Sequence, residues 1–321
     1  MSQVAYESNI YQQRQKNITR TWLIVFSFLI FVIFVGWAFS VYYGNPLILI
    51  VAAIGALTTN ITSYFFSDSI ALSTNNAKPA KPENPQHLAL IRSVENMSIT
   101  AGMRMPRVYV IPDSAPNAFA TGRNESHAAV AFTQGILDLL DTNELEGVVA
   151  HELSHIKNKD ILVGTIVVVM VGFIALLGDL FLRTQMYGGG NRDNRAAGVI
   201  LIVGIVFAIL SPIAIRIIQA AVSRKREFLA DASGALLTRY PEGLANALIK
   251  INAAAQPLAK TSSATSHLFI ANPFGPSEKV GNYVRQLFAS HPPMQDRVEA
   301  LLGDQAAQEL TTDTAGKHDS R

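Results

Sequence analysis

Four apolar stretches, at 21–43, 46–66, 161–182 and 198–222, each reach the ~20 residues that an α-helix needs to cross the hydrocarbon core of a bilayer. The chain has 321 residues, of which 49% are hydrophobic, in keeping with an integral membrane protein that also carries soluble parts. The first stretch is too long for a signal peptide, and no small-residue cleavage site precedes the second. The expected fold is therefore a mainly α integral membrane protein with four transmembrane helices and an α+β water-facing domain with a small sheet. That domain is split in sequence by a transmembrane hairpin. The expected layout is an arm at 1–20, a hairpin at 21–66, a water-facing part at 67–160, a second hairpin at 161–222, a second water-facing part at 223–310, and a disordered tail at 311–321.

Basic residues sit where membrane flanks would place them. Arg14, Lys16 and Arg20 precede the first span, Lys157 and Lys159 precede the third, and Arg224, Lys225 and Arg226 follow the fourth. By the positive-inside rule, the N-terminus and both water-facing parts are cytoplasmic, although Arg183, Arg192 and Arg195 in the opposite loop run against this. A net charge of +2 is too small to point to nucleic acid. The chain has no cysteine, which excludes disulfides and cysteine nucleophiles.

Within 67–160 the pattern predicts a helix over 85–102 and short strands over 107–111 and 128–132. A further helix starts near Thr142, whose hydroxyl is placed to cap it. That helix carries His151-Glu152-Leu153-Ser154-His155. Positions i and i+4 share a helix face, so His151 and His155 can present two imidazoles to one Zn²⁺, while Glu152 lies one step round as a general base toward water. The pattern predicts hydrolysis at a membrane surface. The rival reading, two histidines on a solvated helix, fits poorly with the apolar flank Val148-Val149-Ala150 and with the interleaved Leu153 and Ile156. Histidines on a packed helix need partners.

A catalytic zinc site needs a third protein ligand and an open position. In metzincins a glycine and a third histidine follow at fixed offsets, but here those positions hold Asn158 and Ile161. The other common pattern takes a glutamate from a second helix, with an aspartate one turn later orienting a ligand histidine. Glu227 and Asp231 have that spacing. His155 lies six residues before the third span and Glu227 five after the fourth. Continuing both helices at 1.5 Å per residue places both groups roughly 7–9 Å outside the same membrane face. Read alone, Glu227 is a juxtamembrane charge in a basic cluster; read with the histidine pair, it is the third ligand.

HELSH followed by Asp160, the Glu227–Asp231 pair and the four-span layout resemble HtpX-type membrane metallopeptidases, which are related more distantly to the CAAX prenyl endopeptidases. The resemblance covers most of the chain. It implies a gluzincin-like peptidase domain with one Zn²⁺ per chain on His151, His155 and Glu227, with Glu152 as the base. Asp231 would orient His151, and Asp160 would support the helix from its C-terminal side. It also implies protein substrates, misfolded or damaged membrane proteins among them, and a bacterial or archaeal cytoplasmic membrane with the site facing the cytoplasm. The segment from Asn117 to Gly122 resembles the family's substrate-binding segment. An unpaired strand edge beside a metal holds a peptide extended through main-chain hydrogen bonds, with Asn117, Ala118 and Phe119 as candidates; the plainer reading is a turn. The run from Ser290 to Pro293, with Arg297, resembles the family's C-terminal signature. In it, His291 is a candidate donor to the developing oxyanion, or else part of a turn that caps the next helix.

Three other readings compete. An intramembrane protease would bury HExxH inside a span, but polar residues bracket it here. A zinc transporter would place ligands within the spans, which hold no histidine and only Asp179 among acids. A noncatalytic zinc-binding scaffold would have no need of Glu152.

Overall fold

The computed structural model describes residues 44–164, 224–260, 265–273 and 292–303, together with 166, 275 and most of 18–41. The expectations for the arm before residue 18, for His291, for the tail at 311–321 and for nearly all of the hairpin at 161–222 lie outside these residues.

Helix α1 (Leu47–Thr74) starts behind Pro46, and over Leu47–Phe66 it is long and apolar enough to cross a membrane. Among the described residues it is the one helix that meets both conditions; Val25–Phe34 is a shorter apolar helix. Ile50, Val51, Ile54 and Leu57 are exposed on α1, as apolar side chains facing lipid would be, whereas Ala56 is fully buried. A Cβ on Gly36 would overlap the Cβ of Ala52, so small residues set the closeness of the two helices. The last turns of α1 leave the apolar span and enter the domain core, where Ala71 and Leu72 pack with Ile111, Phe119 and Ala131.

After β1 (Lys78–Pro79), α2 (Pro85–Ala101) is capped by the Asn84 side chain, carries Pro at its first turn and ends on Gly102 at φ +62°. Strands β2 (Arg107–Ile111), β3 (Ala118–Thr121) and β4 (Ala129–Thr133) complete a four-stranded mixed sheet of order β1-β2-β4-β3. β2 and β4 are parallel, and β3 runs antiparallel to β4 with Ala118 opposite Phe132 and Thr121 opposite Ala129. β3 is therefore a sheet edge. The sequence expected a strand over 128–132; the observed one is shifted by one residue.

The short α3 (Gln134–Leu139) leads to α4 (Thr142–Lys157), the helix that bears HELSH. Asp141, rather than the expected Thr142, caps it. Asp141 keeps an extended backbone and its carboxylate accepts from the Glu144 N–H, while Glu144 accepts from the Asp141 N–H. Lys250 then pairs with Glu144 at 2.7 Å, tying α4 to a helix more than eighty residues further along the chain. α4 is buried along most of its length, between α2, α5 (Arg224–Thr238) and α6 (Pro241–Ala253). Two glycines allow that closeness. A Cβ on Gly147 would come within 2.7 Å of the Leu244 backbone, and one on Gly234 within 3.0 Å of the His151 backbone. The last helix among the described residues, α7 (Met294–Leu302), packs on α6 and α5. One core joins residues from Leu90 to Ile161 with residues from Leu244 to Val298, across the apolar region between them.

The straight continuation of the HELSH helix toward the third span does not occur. α4 ends at Lys157, Lys159 turns left-handed at φ +58°, and a new helix begins at Asp160. The break lets Asp160 face back toward His155.

Candidate metal centre

His151 and His155 lie one turn apart on α4, edge to face with ring centroids 4.7 Å apart and Nε2 atoms 3.1 Å apart. Glu227, in the first turn of α5, brings Oε2 to 3.8 Å from His151 Nε2 and Oε1 to 3.7 Å from His155 Nε2. One ligand atom from each of the three residues lies within 4.8 Å of the others. Tetrahedral zinc with ligands near 2.0–2.1 Å keeps its donors about 3.3 Å from one another, so the three atoms frame a gap of metal size.

Each histidine is held through its other ring nitrogen. Asp231 Oδ1 lies 2.9 Å from His151 Nδ1, and Asp160 Oδ2 lies 3.3 Å from His155 Nδ1. Both rings thus turn Nε2 to the gap, as carboxylate-oriented metal ligands do. Burial brings His151 down to about 4, against the pull of Asp231, so this imidazole is neutral. Burial opposes charge on His155 too, but Glu227, Asp160 and Glu152 overturn it and raise the group to about 9. The cluster attracts a cation, and without a metal that cation is a proton on His155.

Glu152 is buried beside the pair, and burial pushes its carboxyl up to about 7, partly offset by His155 and by the main-chain N–H of Ala120. Behind His151 stands Arg297, fully buried, whose Nε and Nη2 donate to the two oxygens of Asp231 at 2.8 and 2.6 Å. The sequence reading named Arg297 only within a resembling motif and gave it no role. A signal was present: Met294, Arg297, Val298 and Leu301 share the stripe by which α7 meets the core, so the cation replaces an apolar residue on a buried face.

The edge strand lies alongside. Thr133 N–H donates to the Asn117 carbonyl, so 117, 119 and 121 turn their main-chain groups toward β4, and 118 and 120 turn theirs outward. Asn117, Ala118 and Phe119 are all buried, where the sequence reading expected an open edge. The outer side at Ala118 is filled by the chain itself. Ile270 N–H donates to the Ala118 carbonyl at 2.9 Å, and the Asn117 side chain both donates to and accepts from the main chain of Ala271. Phe119 meets Phe269 edge-on at 5.0 Å. The next outward group, Ala120, is the one that reaches Glu152. The structure thus brings His151, Glu152, His155, Asp160, Glu227 and Asp231 together and sets Asn117, Ala118 and Phe119 in the adjoining edge.

The chain is similar to known proteins over most of its length. Residues 85–305 match Peptidase family M48. The "Protease HtpX homolog" of Thermoanaerobacter pseudethanolicus is 41% identical over 298 residues, covering 91% of this chain and 97% of the relative. That of Tropheryma whipplei is 43% identical over 293 residues, covering 90% and 97%. The crystal structure of S. mikatae Ste24p overlays with a TM-score of 0.47 at 16% identity, covering 91% of this chain and 67% of that one.

Proposed function

Since the chain belongs to peptidase family M48, and so is a hydrolase of peptide bonds, we propose that it is a membrane-bound zinc endopeptidase that cuts misfolded or damaged membrane proteins. The observation that carries this reading is the convergence of His151, His155 and Glu227 around one gap with Glu152 buried at its side.

One Zn²⁺ per chain would be held by His151, His155 and Glu227, and it would polarise the scissile carbonyl and acidify the attacking water. Glu152 takes the proton from that water as the carbonyl is attacked and returns it to the departing amine. Asp231 keeps His151 Nε2 aimed at the gap, and Asp160 does the same for His155. The substrate lies extended along the outer side of β3. Asn117, Ala118 and Phe119 build the inner end of that edge, and the main chain of Ala120 lies beside Glu152. His291, which lies outside the described residues, is proposed as the donor to the developing oxyanion, a role that the chemistry needs and HELSH does not supply.

In this reading four transmembrane helices, including hairpins at 21–66 and 161–222, anchor the domain formed by 67–160 and 223–310 in a prokaryotic cytoplasmic membrane. The site faces the cytoplasm, in agreement with the basic flanks. The apolar length of α1 supports the lipid contact. The deciding experiment is proteolysis of an unfolded membrane protein by detergent-purified, zinc-loaded chain and by Glu152→Gln. The variant should keep its zinc and lose ~10²–10⁴-fold in turnover. Equal rates in the two proteins would remove Glu152 from the mechanism, and no cleavage by either would leave the noncatalytic zinc scaffold as the better reading.

A further inference from the structure

Arg224, Lys225 and Arg226 follow the fourth apolar stretch and read in sequence as three cations flanking a membrane. The structure separates two of them. Arg224 is exposed, whereas Arg226, two residues on in the first turn of α5, is buried. A guanidinium taken out of water is costly unless a carboxylate meets it. Asp160 meets it: Oδ1 lies 4.0 Å from Arg226 Nη1, and both side chains are only 7% exposed.

The contact links two of the candidate ligands. Asp160 presents its other oxygen, Oδ2, to His155 Nδ1 at 3.3 Å, and Arg226 directly precedes Glu227 in the chain. Neighbouring residues on a helix point about 100° apart, so one position of α5 turns to Asp160 and the next turns to the gap. On the other side, Arg297 grips Asp231, which holds His151. Each histidine is thus backed by an aspartate, and each aspartate by an arginine from another segment. The two arginines differ in what they tie down. Arg297 brings in α7, whereas Arg226 shares its backbone with the third ligand.

Asp160 and Arg226 also stand at the two ends of the second apolar region. The third stretch begins at 161 and the fourth ends at 222, so the pair meets where the chain leaves the domain and where it returns. We propose that Arg226 is a positioning residue: through Asp160 it registers the returning chain against the departing one, and so holds Glu227 at the distance from His155 that one metal ion can bridge. The proposal rests on the zinc peptidase reading above and deepens it.

Charge alone predicts the opposite sign. A cation beside the site of a dication repels it, so loss of Arg226 would tighten zinc binding if repulsion were its whole effect. Loss of a group that orients ligands weakens binding instead, by ~10–100-fold. The test measures zinc affinity by chelator competition on the full-length protein in detergent, a readout that needs no cleavage. Arg226→Gln should bind zinc ~10–100-fold more weakly, and Arg226→Lys, which keeps the charge but not the planar fork, should fall between. Added to Asp160→Asn, Arg226→Gln should weaken binding little further, since both act through one contact. Arg224→Gln, at the exposed cation of the same cluster, should leave the affinity unchanged. Tighter or unchanged binding in Arg226→Gln, equal weakening in Arg224→Gln, or losses that multiply in the double variant overturn the proposal. Should Arg226→Gln fail to fold, Arg226→Lys takes its place, and unaltered affinity in that protein overturns the proposal. If the unaltered protein binds zinc yet cuts no peptide, the peptidase reading fails while zinc affinity still decides the role of Arg226; if it binds no zinc, both fall.

Discussion

Arg297 and Asp231, 66 residues apart in sequence, form a two-pronged ion pair that is closed to solvent, and Asp231 in turn holds His151 Nδ1 at 2.9 Å. Burial works against both charges, and each group is kept ionised by the other. Arg297→Met should therefore leave a buried carboxylate without its cation, at a cost of about 3–5 kcal/mol. Arg297→Lys keeps the charge but not the two parallel hydrogen bonds, and should fall between. Thermal unfolding of the three proteins in one detergent checks the order. An unchanged melting temperature in Arg297→Met would contradict it.

Glu227 and Asp231 should separate cleanly by metal content. Glu227→Ala removes a donor atom from the gap and should purify without zinc. Asp231→Asn removes only the group that orients His151 and should weaken zinc affinity by ~10–100-fold. Zinc per chain, measured after dialysis against graded chelator, distinguishes the two. Full occupancy in Glu227→Ala would mean that another residue is the third ligand.

Zinc affinity should depend on pH in a defined direction. In the metal-free protein His155 is raised to about 9 and holds a proton at pH 7, whereas His151, lowered to about 4, does not. Binding a metal at Nε2 of His155 must displace that proton, so about one proton should be released per ion at pH 7. Affinity should rise with pH and level off above about 9, where the proton is already gone. Titration calorimetry in buffers of different ionisation enthalpy counts the proton directly. No release at pH 7 would show that His155 is neutral in the metal-free site.

Sidedness can be read with single cysteines, since the chain has none of its own. Glu83 is exposed on the peptidase domain, and Gly189 lies between the third and fourth apolar stretches. An impermeant thiol reagent on intact cells should label Gly189→Cys and spare Glu83→Cys until the membrane is opened. Labelling of both from outside would place the domain and that loop on one side and remove the hairpin that carries Glu227 to the histidines.

The parts of the site that could be read in sequence are those written into a single helix. His151 and His155, or Glu227 and Asp231, meet because four residues make about one turn. The α2 helix was equally legible, since Asn84, Pro85 and Gly102 mark its ends locally. What escaped was set by contacts between distant segments. Arg297 reads as one more surface cation until α7 folds its apolar stripe onto the core. The closing of the β3 edge depends on Asn117 meeting Ala271 across 154 residues, and no local pattern encodes that meeting. The expected straight helix through Lys157 failed at Lys159, a left-handed residue for which neither glycine nor proline gave warning.

The approach of Glu227 to His151 and His155 also depends on a residue outside that trio. Gly234 lets α5 rest directly on the α4 backbone at His151, and a methyl group there would meet main-chain atoms at 3.0–3.3 Å. Glu227 lies seven residues earlier on the same helix, about 10 Å along its axis. α5 therefore acts as a lever whose fulcrum is the bare α-carbon of Gly234. A methyl group at that fulcrum asks the two helices to part by a few tenths of an ångström, and the distance from Glu227 to the two imidazoles is the one that such a parting would stretch.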